Sequence, residues 1–256
     1  MARCHPLTGE GSHFRRWSLY LFARYLEMPL LAWSHRLLRG RHRRLGRNRL
    51  VRAVLGWGLA APFGYLGDTA RPVPTPQVVE MIDALDGPIA VGPCRCRSAH
   101  RGCDHPLETD IVIRTGVAAW TRAFPREYRL IGKAEARRIV AGCSQQGMWH
   151  MVFVHCPVNP VPGNEYVICN CCTCGCVPYL LNRELGQRIY PLLRGAYAAT
   201  VNPDRCAGHG DCVAACPFGA LSLASGQARV VAACYGCGRC AVVCPEGAVE
   251  MVERDE

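Results

Sequence analysis

The chain has 256 residues, half of them hydrophobic and a fifth charged, with 18 cysteines and a formal net charge of +10. That length is room for one large domain or two modest ones with a real core, and the composition excludes a disordered, collagen-like, mucin-like or polytopic membrane protein. The charge is lopsided: residues 1–52 carry 12 arginines against Glu10 and Glu27, while residues 53–256 hold 18 basic and 18 acidic residues.

Residues 14–38 predict one or two helices rich in aromatic and leucine side chains. Arg24, Glu27, His35 and Arg36 interrupt the apolar run, so it does not make a clean membrane span. A basic block follows at 39–52, then an uncharged stretch at 53–66 that falls short of the roughly 20 residues a span needs. Arg15-Arg16-Trp17 resembles a twin-arginine export signal only faintly, since charges follow and no cleavage site lies near. The expected location is cytoplasmic, or at the inner face of the membrane. Pro72, Pro74 and Pro76 mark a linker. Beyond it the pattern predicts a helix at 77–85, strands at 89–91 and 111–113, and a helix at 133–147 with Ala134, Ile139, Val140 and Cys143 on its apolar side. A strand at 151–154 and a helix at 179–197 complete the middle region. The expected fold is α+β: a helical basic N-terminal region (1–70), a small cysteine-rich α/β middle domain (77–198) and a C-terminal dicluster ferredoxin-like domain (199–256).

The cysteines pose a choice between disulfides and metal. Seventeen of the 18 lie beyond residue 93, bunched one to a few positions apart. Neighbours that close rarely reach disulfide geometry with each other, but they aim several thiolates at one centre, which a thiophilic metal or cluster needs. The spacing therefore favours metal.

Residues 234–245 read C-Y-G-C-G-R-C-A-V-V-C-P. Three cysteines on a tight loop can cap three irons, Gly236 and Gly238 would let backbone amides approach the sulfides, and a fourth cysteine before Pro245 leads away. The run 206–221 aligns with 234–249 at a 28-residue offset with 8 identities in 16, an internal repeat. The pattern C-x2-C-x2-C-x3-C-P and its duplication resemble two-cluster bacterial ferredoxins. That resemblance implies one [4Fe–4S] cluster on Cys234, Cys237, Cys240 and Cys216, and a second on Cys206, Cys212 and Cys244. His209 stands where a fourth thiolate is missing. Three readings follow: a [3Fe–4S] cluster, as in the three-iron actinobacterial ferredoxins that Cys-x2-His-Gly-x-Cys resembles; a four-iron cluster with an imidazole ligand; or a spectator histidine. Val213, Ala214, Ala215, Ala241, Val242 and Val243 are expected to keep water off both clusters.

In the middle region, C-R-C-R-S-A-H-R-G-C-D-H-P-L-E (94–108) and I-C-N-C-C-T-C-G-C (168–176) resemble a group of bacterial and archaeal iron–sulfur proteins. That group pairs a CxCR…CDHPLE segment with an ICNCC segment ahead of a two-cluster ferredoxin. Cys94, Cys96 and Cys103 offer three thiolates from one loop, and Cys169, Cys171, Cys172, Cys174 and Cys176 offer enough to complete one site or two. The expected occupant is a third Fe–S cluster or structural zinc, with Arg95, Arg97 and Arg101 offsetting negative charge and His105 or backbone amides bonding the sulfurs. Cys143 reads as a packing thiol, Cys4 as free and Cys156 as packing or ligand. His100, His150 and His155 carry no pattern of their own. Asp104 and Glu108 read as an acid–base pair, or as turn caps and bonds to the cysteine loop.

No P-loop, dinucleotide fingerprint or triad signature is present. The sequence thus reads as an electron-transfer component of an oxidoreductase system, exchanging electrons with redox protein partners. The alternatives are an oxidoreductase or reductive activase working at the middle-domain metal, and a metal-stabilised scaffold or nucleic-acid binder. The arginine-rich, aromatic front end suits an anionic membrane surface, an acidic partner or nucleic acid, or forms a solvated arm.

Overall fold

The computed structural model describes residues 17, 19–40, 42–46, 48–57, 69–100, 102–154, 163 and 165–254. Cys4, Arg101, His155 and Cys156 lie outside the described residues. The architecture is α+β. Its centre is a six-stranded sheet built from β1 (Thr69–Val73), β2 (Ile89–Pro93), β3 (Glu108–Ile113), β4 (Arg129–Ile131), β5 (Trp149–Val154) and β6 (Glu165–Cys171), in the order β1-β5-β6-β3-β2-β4. Every neighbouring pair is antiparallel.

Side chains alternate across a strand, and here both faces are covered. Ile89, Val91, Ile111, Ile113, Val152 and Ile168 face one way. They pack on Val78 and Ile82 of α4 (Thr75–Asp83) and on Ala136 and Val140 of α7 (Lys133–Gln145). The intervening Ala90, Val112 and Val167 meet Val117 and Trp120 of α6 (Thr115–Ala123) on the other face. Burial on both faces explains why these strands read as short continuous apolar runs.

Several expectations need correcting. Pro72 sits within edge strand β1, opposite Met151, where a missing N–H costs no central ladder bond. Pro76 lies in the first turn of α4, where its fixed φ suits the helix. The helix expected to run to 197 ends early: α8 spans Val177–Leu185 and stops at Gly186, whose φ of +91° ends the helical path. On α7, Ala134 is exposed and Ala136 takes the buried position.

The basic front end packs into the fold. A π-helical turn (Phe22–Leu26) runs into α1 (Glu27–Leu38), with the short helices α2 (Arg43–Gly46) and α3 (Arg49–Leu55) beyond. Leu19 and Ala23 are buried with Trp120, and Leu38 joins the apolar cluster around Trp149 and Tyr179. Arg95, at the start of α5 (Arg95–His100), is buried between Glu27 (3.1 Å) and Glu127 (2.7 Å) and lies 3.9 Å over the Phe124 ring. Trp120 Nε1 donates to the same Glu27 carboxylate at 3.3 Å. Burial dominates there and pushes the Glu27 pKa up to about 8, with Arg95 pulling it back only in part. Among the described residues, no helix is long and apolar enough to cross a membrane.

The C-terminal segment pairs β7 (Tyr197–Val201) with β10 (Val249–Glu253) and carries the hairpin of β8 (Leu221–Ala224) and β9 (Gln227–Val230). The one-turn helices α9 (Asp211–Ala214) and α10 (Arg239–Val243) each hold one copy of the repeat. The segment is fastened to the sheet domain by Tyr179 Oη donating to the Pro217 carbonyl (2.7 Å) and Arg239 donating to the Ser144 carbonyl (2.8 Å). Phe218 stacks on Tyr235 at 4.5 Å and meets Trp149 and Tyr179 edge-on.

Candidate metal centres

All sixteen described cysteines are free thiols, and fifteen of them fall into three assemblies. The C-terminal assembly is double. Cys212 feels the charges of Cys244 and Cys206, and these three line one cleft with His209 on its exposed rim. Cys216 instead lies with Cys234, Cys237 and Cys240. The repeats thus exchange their last cysteines.

Local backbone dictates this placement. Backbone N–H groups donate to sulfur from Ala220 to Cys216 (3.3 Å), Ala228 to Cys206 (3.4 Å), Gly236 to Cys234 (3.4 Å) and Ala248 to Cys244 (3.3 Å). Such bonds favour the thiolate and suit an anionic cluster. Burial pushes the Cys240 thiol up to about 12 and raises Cys237 as well, so neither would ionise near neutrality without a cation to balance it.

Gly236 does bring its amide to sulfur, and two details add to what was expected. Gly236 and Gly238 are needed by the backbone itself. Both have positive φ (+80° and +72°), and an added Cβ would lie 2.3 Å from the Tyr197 carbonyl oxygen or 2.8 Å from Pro74 Cβ. Of the small apolar residues, Val213 and Ala241 pack in the core of the segment, whereas Ala214 and Val242 face solvent.

The second assembly comprises Cys94 and Cys96, from the turn into α5, with Cys169 and Cys171 of β6 and Cys176 at the cap of α8. Cys171 and Cys176 Sγ atoms are 3.4 Å apart. Cys169 and Cys171 point to one face of β6 because they are two residues apart. Burial raises Cys94 and Cys171, and Cys96 is raised first by its bond to Cys176 and then by burial. Cys176 is the exception. Burial opposes its ionisation, but the neighbouring Cys171 and Cys96 thiols, and the positive charge of Arg97, hold it well below the ordinary thiol value.

Asp110 is buried beside this group, accepting from Tyr128 Oη (2.5 Å) and from Cys169 Sγ (3.6 Å). Burial raises its pKa. No sequence signal marks Asp110, which meets Cys169 through the pairing of β3 with β6, or Tyr128, which bonds to Asp110. His150 is fully buried, with Nδ1 2.7 Å from Asn170 Oδ1 and Nε2 3.1 Å from Thr75 Oγ1. Burial lowers its pKa to about 4, so it is neutral.

The third assembly brings Cys103 and His105 to Cys172 and Cys174. Their four ligand atoms lie within 4.8 Å of one another. Cys103 is therefore parted from Cys94 and Cys96, and the dense cysteine run divides between two centres. His105, expected only to bond the sulfurs, stands among the four converging ligand atoms.

The expected arginine roles separate too. Arg95 spends its donors on Glu27 and Glu127, while Arg97 is the one that reaches sulfur, 3.9 Å from Cys172. Arg97 also donates to the Asn170 carbonyl (3.0 Å) and to Thr109 Oγ1. Glu108 is exposed and paired with Arg129 at 2.9 Å, and Asp104 is exposed. His100 stacks on His35 at 4.0 Å, and Arg39 donates to the Thr173 carbonyl at 3.0 Å, so α1 roofs both cysteine-bearing turns. Cys143 packs beneath them with Met148 and Cys172 as a buried thiol.

Set against family models, curated proteins and solved structures, the chain matches none of them. Its many free cysteines and the convergent group at Cys103, His105, Cys172 and Cys174 are compatible with a metal-binding protein.

Proposed function

We propose that this chain is an iron–sulfur electron-transfer protein, a ferredoxin-like carrier or redox subunit. The observation that carries the reading is the exchange of last cysteines between repeats, Cys216 with Cys234, Cys237 and Cys240, and Cys244 with Cys206 and Cys212. Shared ligation of that kind suits two clusters held in one unit. Clusters at those positions would supply reversible one-electron chemistry. The chain's own residues hold the thiolates, donate amide hydrogen bonds to them and exclude water. Cys94, Cys96, Cys169, Cys171 and Cys176 would hold a third iron–sulfur centre.

One apolar cluster contains Cys171 and Cys176 together with Trp149, Tyr179, Phe218, Tyr235 and Cys237. It joins the third centre to the nearer C-terminal one without intervening solvent, the packing that short-range electron transfer requires. His209, on the exposed rim of the other cleft, would ligate a fourth iron or leave a three-iron cluster, and His209→Cys should convert a three-iron EPR signal to a four-iron one.

The test is iron and sulfide analysis with EPR on protein purified without oxygen. Eleven or twelve irons fit three clusters, and about seven or eight would leave the five-thiol site free of iron. Colourless, folded, iron-free protein would overturn the reading.

We further propose that the front end meets an anionic membrane surface. Leu50, Val54 and Trp57 are 78%, 69% and 60% exposed at helical spacing on and just beyond α3, with Arg44 and Arg49 exposed beside them. The full chain should float with vesicles containing anionic lipid, and Leu50→Glu with Val54→Glu should abolish flotation. Equal flotation of that variant would sink the idea.

A further inference from the structure

We propose that Cys103, His105, Cys172 and Cys174 form a closed tetrahedral site for a single zinc ion, separate from every iron–sulfur centre. The argument is first one of distance. Cys103 Sγ lies 2.8 Å from Cys174 Sγ and 3.6 Å from Cys172 Sγ, and Cys172 and Cys174 are 3.1 Å apart. His105 Nδ1 is 3.1 Å from Cys103 Sγ and 3.6 Å from Cys174 Sγ. Sulfurs bound to one zinc at about 2.3 Å stand about 3.8 Å apart at the corners of a tetrahedron, so the set admits the ion by opening less than about 1 Å. The separations are also well beyond the roughly 2.05 Å of a disulfide.

A multi-iron cluster asks for something else. Its ligands cap different irons and must stand farther apart. Among the described residues, no other three His, Cys, Asp or Glu ligand atoms converge as these four do, including those of the ferredoxin-type segment. These four ligand atoms therefore form one tight knot.

The donor set points to zinc. Three thiolates and one imidazole are a borderline-soft combination typical of structural zinc, and four protein ligands leave no open position for chemistry. Loading releases the three thiol protons to solvent, and the ion then carries one negative charge in excess. Arg97, 3.9 Å from Cys172 Sγ, offsets it.

The position explains the purpose. Cys171 closes β6 beside Cys176, while Cys172, the next residue, meets Cys103 and Cys174, so one strand end serves two centres. Zinc at Cys103 and His105 staples the loop after α5 to the turn at 172–176, and thereby fixes Cys94 and Cys96 against Cys169, Cys171 and Cys176.

Elemental analysis of the full chain, purified without oxygen, tests this. The expected content is one zinc per chain in addition to any iron. Cys174→Ser should reduce zinc to under about a tenth of that while leaving iron and sulfide unchanged. His105→Cys should keep the zinc, because four thiolates make an equivalent site. Cobalt loaded in place of zinc should give the intense visible bands of tetrahedral thiolate ligation, a readout on the unmutated chain that stands even where Cys174→Ser fails to fold. Absence of zinc from folded protein, loss of a cluster's worth of iron in Cys174→Ser, or loss of zinc in Cys96→Ser with Cys174→Ser unaffected would each overturn the proposal. Iron without zinc overturns this site alone, and zinc without iron overturns the electron-transfer reading alone.

Discussion

The C-terminal segment and the sheet domain both gather cysteines, but by opposite means. In the segment, each group of thiols comes from one short loop plus a single cysteine from the other repeat, and backbone amides already point at the sulfurs. In the sheet domain, the thiols come from turns some seventy residues apart, brought together because β3 pairs with β6 and places Asp110 opposite Cys169. Local centres are specified by spacing. Assembled centres depend on strand register, and so on the whole domain being folded.

Substituting ligands is the most forceful way to break this comparison. Cys216→Ser and Cys237→Ser should remove the same cluster, and Cys244→Ser the other, each lowering iron by three or four per chain with the sheet domain intact. Cys171→Ser should remove only the third centre. EPR that showed Cys216→Ser and Cys244→Ser affecting one cluster together would undo the exchanged ligation.

Next in size is the buried Glu27–Arg95 contact that seats the front end. Glu27→Ala strands Arg95 in an apolar site and should lower stability by about 3 kcal/mol, measured by denaturant unfolding. Loss of less than about 0.5 kcal/mol would mean that Glu127 alone satisfies Arg95.

His150 sharpens the contrast through pH. Its folded pKa of about 4 lies below the ordinary 6.5, so the unfolded chain binds the proton first as pH falls. The stability it contributes is whole above pH 6.5 and is lost progressively as pH drops toward 4, by up to about 3 kcal/mol. Thermal unfolding of His150→Gln should show a shallower decline over that interval, and an unchanged slope would remove His150 from the explanation.

The smallest expected effect concerns the joint between regions. Phe218→Leu should leave metal content unaltered while slowing electron exchange between the third centre and the nearer C-terminal one, read by freeze-quench EPR. Unaltered exchange would place the route elsewhere than the aromatic cluster.

Much of this architecture was legible in the residues. Helical spacing marked α4 and α7, apolar runs marked β2, β3 and β5, and the duplicated motif located eight candidate ligands. The strand β6 was hidden because its cysteines looked like a metal loop, and β1 because Pro72 suggested a linker. His105 was legible as a group bonding the sulfurs and not as a ligand, since its partners Cys172 and Cys174 are remote in sequence.

Residue order settled which side chains could serve a thiophilic centre, because the motif spacings and the internal repeat act within a dozen residues, where chain geometry leaves few choices. How the middle cysteines divide between a five-thiol pocket and a four-ligand knot came from folding alone. Antiparallel pairing chose the register, the end of β6 at Cys171 parted it from Cys172, and burial then placed Arg97 and Asp110 against the thiols.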